Sequence, residues 1–508
     1  MPILSWLGRK EALETAKKTP YRLLEEVPEL GYGDKNTENM IVQGDNLEAL
    51  KALLPFYAGQ VKCIYIDPPY NTGSAFEHYD DNLEHSQWLS LMYPRLELLK
   101  DFLREDGVLF ISIDDDEQAY LEVICGEIFG RTHVDTFIWR KSGAGRDGKM
   151  KNTTTFRKDH EYILVCYKRE KSLKKSLEKP SWENKYPNPD NDPRGCYKAG
   201  SISRTEAASN PSHKNYYTVL SPSGKAFTRQ FDVSEEEFKR LDADKRIYWG
   251  KNNSAVPALK IFEEEERETN TSSLILNNGT STEGKKEIEK LFGNINAFET
   301  PKPENLIKKI IYISTNPGDL ILDSFLGSGT TAAVAHKMGR RYIGIEMGNH
   351  AITHCVPRLK AVIDGEQGGI SKYLNWQGGG GFRFYKLGNE VFDAEGNINE
   401  NISFDNLSAH IWFTETKTPF NKPKKKSTYL GTHNDVSYAL LYNGILRDKR
   451  VDGGNVLTSK TLNIILEDMQ HQQYEKLVIY GESSRISQAR LKSLNIEFKQ
   501  TPYDIKAR

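Results

Sequence analysis

The amino-acid sequence predicts an α/β fold built on an open, largely parallel sheet, and three observations carry that expectation. Val61-Lys62-Cys63-Ile64-Tyr65-Ile66 and Gly107-Val108-Leu109-Phe110-Ile111-Ser112-Ile113 are short, β-branched and aromatic, the texture of buried strands rather than helices. Helical patterns alternate with them, as in Glu304 to Ser314, where Leu306, Ile307, Ile310 and Ile311 share one face and Asn316-Pro317-Gly318-Asp319 stops the helix. The strand Leu320-Ile321-Leu322-Asp323 then runs into Ser324-Phe325-Leu326-Gly327-Ser328-Gly329-Thr330-Thr331-Ala332, where Gly327, Gly329 and Ala332 match G-x-G-x-x-G/A between a strand and a helix. The next strand, Arg341 to Glu346, ends in a carboxylate 19 positions after Gly327, where ribose hydroxyls are met in such folds.

Composition bounds the rest. The chain has 508 residues, enough for two or three domains, with 38% hydrophobic residues and a mean hydropathy of -0.61. Five cysteines without C-x-x-C spacing argue for a reducing compartment and no zinc site. No stretch approaches about 20 apolar residues, and Met1 to Leu7 is too short for a signal peptide. A cytoplasmic protein without membrane contact is expected. Net charge is -1, yet Arg140 to Lys175 holds 12 Lys/Arg against 4 Asp/Glu, interleaved with Trp139, Phe156, Tyr162 and Tyr167. Such a stripe suits a phosphate backbone, and a solvated loop face is the alternative.

In chain order, residues 1–35 read as an amphipathic arm. Asn39 to Gln43 is a short strand, and Asp45 caps the helix Leu47 to Leu54 or reaches a ligand. A helix runs through Trp88, Leu91, Leu96, Leu99 and Leu103, with Pro94 as a kink. Asp114-Asp115-Asp116-Glu117 favours the start of the helix through Tyr120, Val123 and Ile124, and no metal site is assigned to it. Strands follow at Thr136 to Trp139 and Tyr162 to Tyr167. From 170 to 300 the sequence turns polar, but Tyr216 to Leu220, Arg246 to Trp249 and Ser273 to Leu276 seed strands, so an inserted domain is expected there. Beyond the glycines of 365–369 and 378–381, strand patterns at Tyr438 to Tyr442, Lys476 to Tyr480 and Ile496 to Lys499, with a helix Arg485 to Leu494, suggest a small α/β unit for assembly. No G-x-x-x-x-G-K-[ST] occurs, which argues against an ATP-driven motor.

Asp67-Pro68-Pro69-Tyr70 ends the Val61–Ile66 strand. Two prolines fix φ and remove two N–H donors, so the chain leaves the sheet stiffly, with carbonyls free. The Asp67 carboxylate and Pro68 carbonyl can accept both hydrogens of a planar exocyclic amine, localising its lone pair and stabilising positive charge. Tyr70 offers a face for stacking a base. A Pro-Pro turn with a capping Asp and a core Tyr is the plainer alternative.

Taken together, Asp67-Pro68-Pro69-Tyr70-Asn71-Thr72-Gly73, a long insertion, Lys302-Pro303, the loop from Asp323 to Thr331 and Glu346 resemble the β-class amino-methyltransferases of DNA. The layout is most similar to modification subunits of type III restriction-modification systems. The resemblance implies a Rossmann-like methyltransferase sheet with circularly permuted motif order. Its catalytic half would be 36–170 and its cofactor half 300–365, with a target-recognition domain at 171–299 and an assembly region at 366–508. It implies that Asp67, Pro68, Pro69 and Tyr70 hold an adenine amine. Asp45, Lys302, Pro303, Asp323, Ser324, Phe325, Gly327, Ser328, Gly329, Thr330 and Glu346 would surround S-adenosylmethionine, and Phe76, Lys149, Lys151, Arg157 and Lys158 would contact double-stranded DNA. A nicotinamide cofactor would leave Asp-Pro-Pro-Tyr unexplained. A homodimer and a separate helicase-nuclease subunit are the implied partners. The alternatives are N4-cytosine methylation, a DNA-binding specificity subunit for a nuclease, and a protein-glutamine or RNA methyltransferase.

Overall fold

A computed structural model describes residues 3–71, 84–142, 158–178, 188, 190–262, 267–392, 398, 402–423, 425–442, 454–470 and 474–501. The expected DNA contacts Phe76, Lys149, Lys151 and Arg157, together with Thr72 and Gly73, lie outside the described residues. The chain divides into two compact units, one of residues 1–174 with 272–508 and one of residues 175–271.

The larger unit is organised by one sheet. Its spatial order is Arg22–Glu26, Gly381–Glu390, Met40–Gln43, Arg341–Glu346, Leu320–Asp323, Val61–Ile66, Leu103–Ile113, His160–Tyr167, Val134–Arg140 and Leu274–Ile275, with Tyr32–Gly33 also paired to the second of these. From Gly381–Glu390 to Leu103–Ile113 neighbouring strands are parallel. His160–Tyr167 pairs antiparallel on both sides. Leu320–Asp323 and Val61–Ile66 lie side by side, registered Ile321 to Cys63 and Leu322 to Ile64, and from them the chain steps in opposite directions, to Arg341–Glu346 on one side and to Leu103–Ile113 on the other. That pair is the topological switch point, where an open α/β sheet leaves a crevice. Asp323 and Asp67 both stand at this end.

Alternation along the central strand feeds two cores. Ile64 and Ile66 pack with the helices Asn46–Tyr57, His85–Phe102 and Gln118–Phe129. Cys63 and Tyr65 pack on the other face with Glu304–Ser314, Thr330–Lys337 and Val356–Ile363. This is the period of two that a doubly covered strand requires. The helix Glu304–Ser314 buries Leu306, Ile307, Ile310, Ile311 and Ile313 completely, each stabilising by about 1.5–3 kcal/mol relative to exposure.

Several boundaries differ from the sequence expectation. The arm is built into the sheet: Arg22–Glu26 pairs antiparallel with Gly381–Glu390, and the Trp6 indole donates to Ser90 Oγ at 2.8 Å. Gly381–Glu390, expected in the assembly region, is therefore a central-sheet strand. Leu274–Ile275, expected in the insert, pairs parallel with Val134–Arg140. Further on, Tyr429–His433, Val436–Leu440, Lys476–Gly481 and Ile496–Gln500 form a separate four-stranded sheet whose last three strands are parallel.

The 175–271 unit, narrower than the expected 171–299, has its own core of Ile202, Val219, Phe227, Phe231, Phe238, Leu241, Ile247 and Trp249. Tyr217 stacks on Phe231 at 4.4 Å between centroids. Among the described residues no helix is long and apolar enough to cross a membrane.

Candidate active site at the switch point

A cavity of about 900 Å³ opens at the C-terminal ends of the two switch-point strands. Asp67, Pro68, Pro69 and Tyr70 line one side; Asp323, Phe325, Gly327, Ser328 and Thr330 line another. The two motifs, 256 positions apart between Asp67 and Asp323, thus share one chamber.

The Asp-Pro-Pro-Tyr corner is held from behind. Trp88 Nε1 donates to the Pro69 carbonyl at 2.7 Å, while among the described residues no donor meets the Pro68 carbonyl. Asn71 turns the chain with φ at 60°, a left-handed conformation that Asn tolerates, and its Nδ2 donates to buried Glu117 at 2.7 Å.

In front of the corner lies a charged cluster. Lys302 Nζ donates to both Asp67 oxygens at 2.7 Å and to the Tyr70 hydroxyl at 2.8 Å. Tyr70 in turn lies 2.7 Å from Asp67 Oδ1 and 3.0 Å from Glu161 Oε2. Lys141 Nζ reaches Glu161 Oε1 at 3.3 Å. Burial raises the Asp67 pKa, with Lys302 opposing. Burial disfavours the Lys302 ammonium, but Asp67 and Glu161 outweigh it and raise its pKa. Burial likewise works against charge on Glu161, and Lys302 and Lys141 override it to lower that pKa. The Lys302 ammonium thus sits between the Asp67 and Glu161 carboxylates, and their opposite charges offset the burial that works against each.

The glycine loop is shaped by its neighbours. Gly327 has φ at 55°, and a Cβ there would sit 3.0 Å from the Phe298 ring. Its N–H donates to Glu346 Oε2 at 2.7 Å, and Gly348 N–H to Oε1 at 3.2 Å. Asp323 accepts the Phe325 N–H at 2.9 Å, and burial raises its pKa to about 7, offset in part by the Thr331 hydroxyl and that amide. Phe298 packs edge-on against His350 at 5.2 Å and His354 at 5.8 Å.

The remaining expected site residues fall elsewhere. Asp45 accepts the Leu47 and Glu48 N–H groups and the Arg95 guanidinium, so it caps a helix and is absent from the cavity lining. The Ser324 carbonyl accepts from Asn46 Nδ2, and a Cβ on Gly329 would sit 3.3 Å from the Cys355 backbone. Pro303 caps the Glu304–Ser314 helix. Glu346 is turned onto its own loop, and Lys302 onto Asp67 rather than along the glycine loop. Lys158 reaches Asp115 at 3.2 Å and Asp116 at 3.6 Å.

Sequence reasoning missed Glu161, Lys141 and Phe298. For Glu161 a signal existed: it opens His160–Tyr167, an otherwise apolar buried strand, and a carboxylate on such a strand requires a cation. Phe298 carried none.

An open α/β sheet with a chamber at its switch point, walled by aromatic rings, hydroxyls and a carboxylate corner, defines a Rossmann-like protein. A family model described as DNA methylase matches residues 61–356, more than half of the chain, and the chain belongs to that family. It is 34% identical over 332 residues to the type III restriction-modification enzyme StyLTI Mod subunit of Salmonella typhimurium, covering 59% of this chain and 50% of the relative. It is 27% identical over 411 residues to the type III restriction-modification enzyme EcoP15I Mod subunit of Escherichia coli, covering 66% of this chain and 62% of the relative. The chain spans about half the length of the curated relatives it matches. The solved M1.HpyAVI-SAM complex is similar at 17% identity and a TM-score of 0.34, over 63% of this chain and 98% of that one.

Proposed function

We propose that this chain transfers a methyl group from S-adenosylmethionine to the N6 amine of an adenine flipped out of double-stranded DNA. In this reading it is the modification subunit of a restriction-modification system, acting as a homodimer beside a separate helicase-nuclease subunit in the cytoplasm. The observation that carries it is the shared chamber: the Asp67 corner and the Gly327 turn face one space of about 900 Å³, near the upper end of ordinary ligand pockets, roughly 300–1,000 Å³. The Mod subunit names of StyLTI and EcoP15I support the system assignment.

The residues fit the cofactor. Phe325 and Phe298 supply apolar faces for its base, and Asp323, Ser328, Thr330 and the Gly327 backbone supply polar partners, with Gly327 leaving room that a Cβ would fill. Glu346, Gly329 and Ser324 shape the loop. S-adenosylmethionine, when bound, supplies a methyl group activated on a sulfonium sulfur.

The chain's own residues do the rest. Flipping the base costs a few kcal/mol, recovered as the base leaves water and stacks beside Tyr70. Asp67 accepts one N6 hydrogen and the Pro68 carbonyl the other, which localises the lone pair and aims it along one line. As the nitrogen becomes positive, the Asp67 carboxylate stabilises it. Adenine is preferred over cytosine because position 67 is Asp, an argument from the family resemblance.

Modified bases mapped in cellular DNA with and without this chain would report base, sequence and activity together. With the mapped site in hand, Asp67→Ala should lower methyl transfer at least 100-fold, the scale of losing one charged transition-state partner, while DNA and cofactor binding persist. Full activity in Asp67→Ala would refute the assignment.

A further inference from the structure

The Lys302 ammonium occupies the place the target amine needs. It engages both Asp67 oxygens at 2.7 Å and the Tyr70 hydroxyl at 2.8 Å, three acceptors arranged around one nitrogen. A second nitrogen bearing hydrogens would compete with Lys302 for those acceptors, of which Asp67 Oδ1 already takes the Tyr70 hydroxyl as well. A developing positive charge on it would also meet the ammonium's repulsion at the same carboxylate.

Beside this arrangement lies an alternative. Glu161 Oε2 is 3.6 Å from Lys302 Nζ, and both side chains are only 9% exposed. A shift of about 1 Å would bring the ammonium to the distance of a charge-assisted hydrogen bond, roughly 2.7–2.9 Å. The Tyr70 hydroxyl has one proton and sits between the two carboxylates, 2.7 Å from Asp67 and 3.0 Å from Glu161. It can follow whichever carboxylate the ammonium leaves. Lys141 holds the far oxygen of Glu161, which keeps that carboxylate charged.

We propose that Lys302 is a placeholder for the target amine, handed from Asp67 to Glu161 when a flipped base arrives, with Glu161 as a positioning residue. This rests on the methyltransferase reading above. Without the base, the ammonium keeps Asp67 from standing as a bare charge in a desolvated pocket. With the base, one amine hydrogen replaces it at Asp67, and Glu161 keeps the ammonium paired. At no stage is a buried charge stranded.

Glu161→Gln tests the exchange because it keeps the shape and removes the charge that receives Lys302. The single-turnover rate on a duplex carrying the mapped site should fall at least tenfold, while calorimetry shows unchanged S-adenosylmethionine affinity. Adding Lys302→Met removes the placeholder, and the double variant should transfer methyl groups at least tenfold faster than Glu161→Gln alone. A merely structural role would not produce that recovery. Fluorescence of 2-aminopurine placed next to the target adenine reports base extrusion without cofactor; it should be weaker than wild type in Glu161→Gln and stronger in the double variant. If the double variant is no faster and extrudes no more than Glu161→Gln, the proposal is overturned. Should Glu161→Gln fold poorly, Lys302→Arg asks the same question, because a bidentate guanidinium grips Asp67 harder; an unchanged rate there would also overturn it. Wild-type protein that transfers no methyl group to the duplex would instead defeat the enzymatic reading, and this inference with it.

Discussion

Glu304 is the residue whose loss should be felt most widely. Its carboxylate accepts Lys337 Nζ at 3.0 and 2.8 Å, Arg358 Nη2 at 3.0 Å and the Ile370 N–H at 3.0 Å. It thereby ties the start of its helix to two others on the same face of the sheet. The three side chains are at most 3% exposed. Burial opposes the Glu304 charge, but Arg358 and Lys337 outweigh it and lower its pKa. That contribution to stability is therefore present above the ordinary carboxylate pKa and is lost as pH falls through the depressed folded value. In Glu304→Ala, Lys337 keeps Glu366, but among the described residues Arg358 has no other carboxylate within ion-pair distance, Glu287 acting on it only from farther away. An unpaired buried cation costs about 3–5 kcal/mol, so the urea midpoint should drop with little change in slope. Because Lys302 lies two residues upstream, methyl transfer should fall as well. Replacing Glu304, Lys337 and Arg358 together with apolar residues of similar volume should recover most of the stability, since the penalty belongs to the stranded charge. A loss below about 1 kcal/mol in Glu304→Ala would refute this account.

Two further outcomes concern the strand Leu320–Asp323 and the glycine loop after it. Asp323 has its pKa raised to about 7 by burial, so the unfolded chain releases this proton first and stability declines as pH rises from about 4 to 7. Asp323→Asn should therefore be more stable than wild type at pH 8, by up to roughly 3–4 kcal/mol, with the gain vanishing near pH 4; thermal unfolding across pH checks the sign. Gly327→Ala places a Cβ at positive φ against Phe298, which should cost about 1–2 kcal/mol and weaken S-adenosylmethionine binding in calorimetry. Adding Phe298→Ala should relieve the clash but not the backbone strain, so recovery should be partial.

The sequence by itself determined the features whose causes lie close along the chain. The apolar run before Asp67, the prolines that end it, the turn at Gly327 and the helix after Pro303 are local matters of alternation, φ restriction and capping. Their order also made the switch point inferable, since a corner and a glycine loop that each follow a strand tend to meet where strand order reverses. Tertiary structure alone decided which charges meet. Lys302 pairs with Asp67 across 235 positions, and Glu161 joins them because His160–Tyr167 runs antiparallel beside Leu103–Ile113. Arg22–Glu26 and Gly381–Glu390 entered the sheet for the same reason, as partners found at an edge. Hydrophobic patterning specifies that a face is buried but not against what, while a buried ion pair depends on distances between elements that only the packed sheet sets.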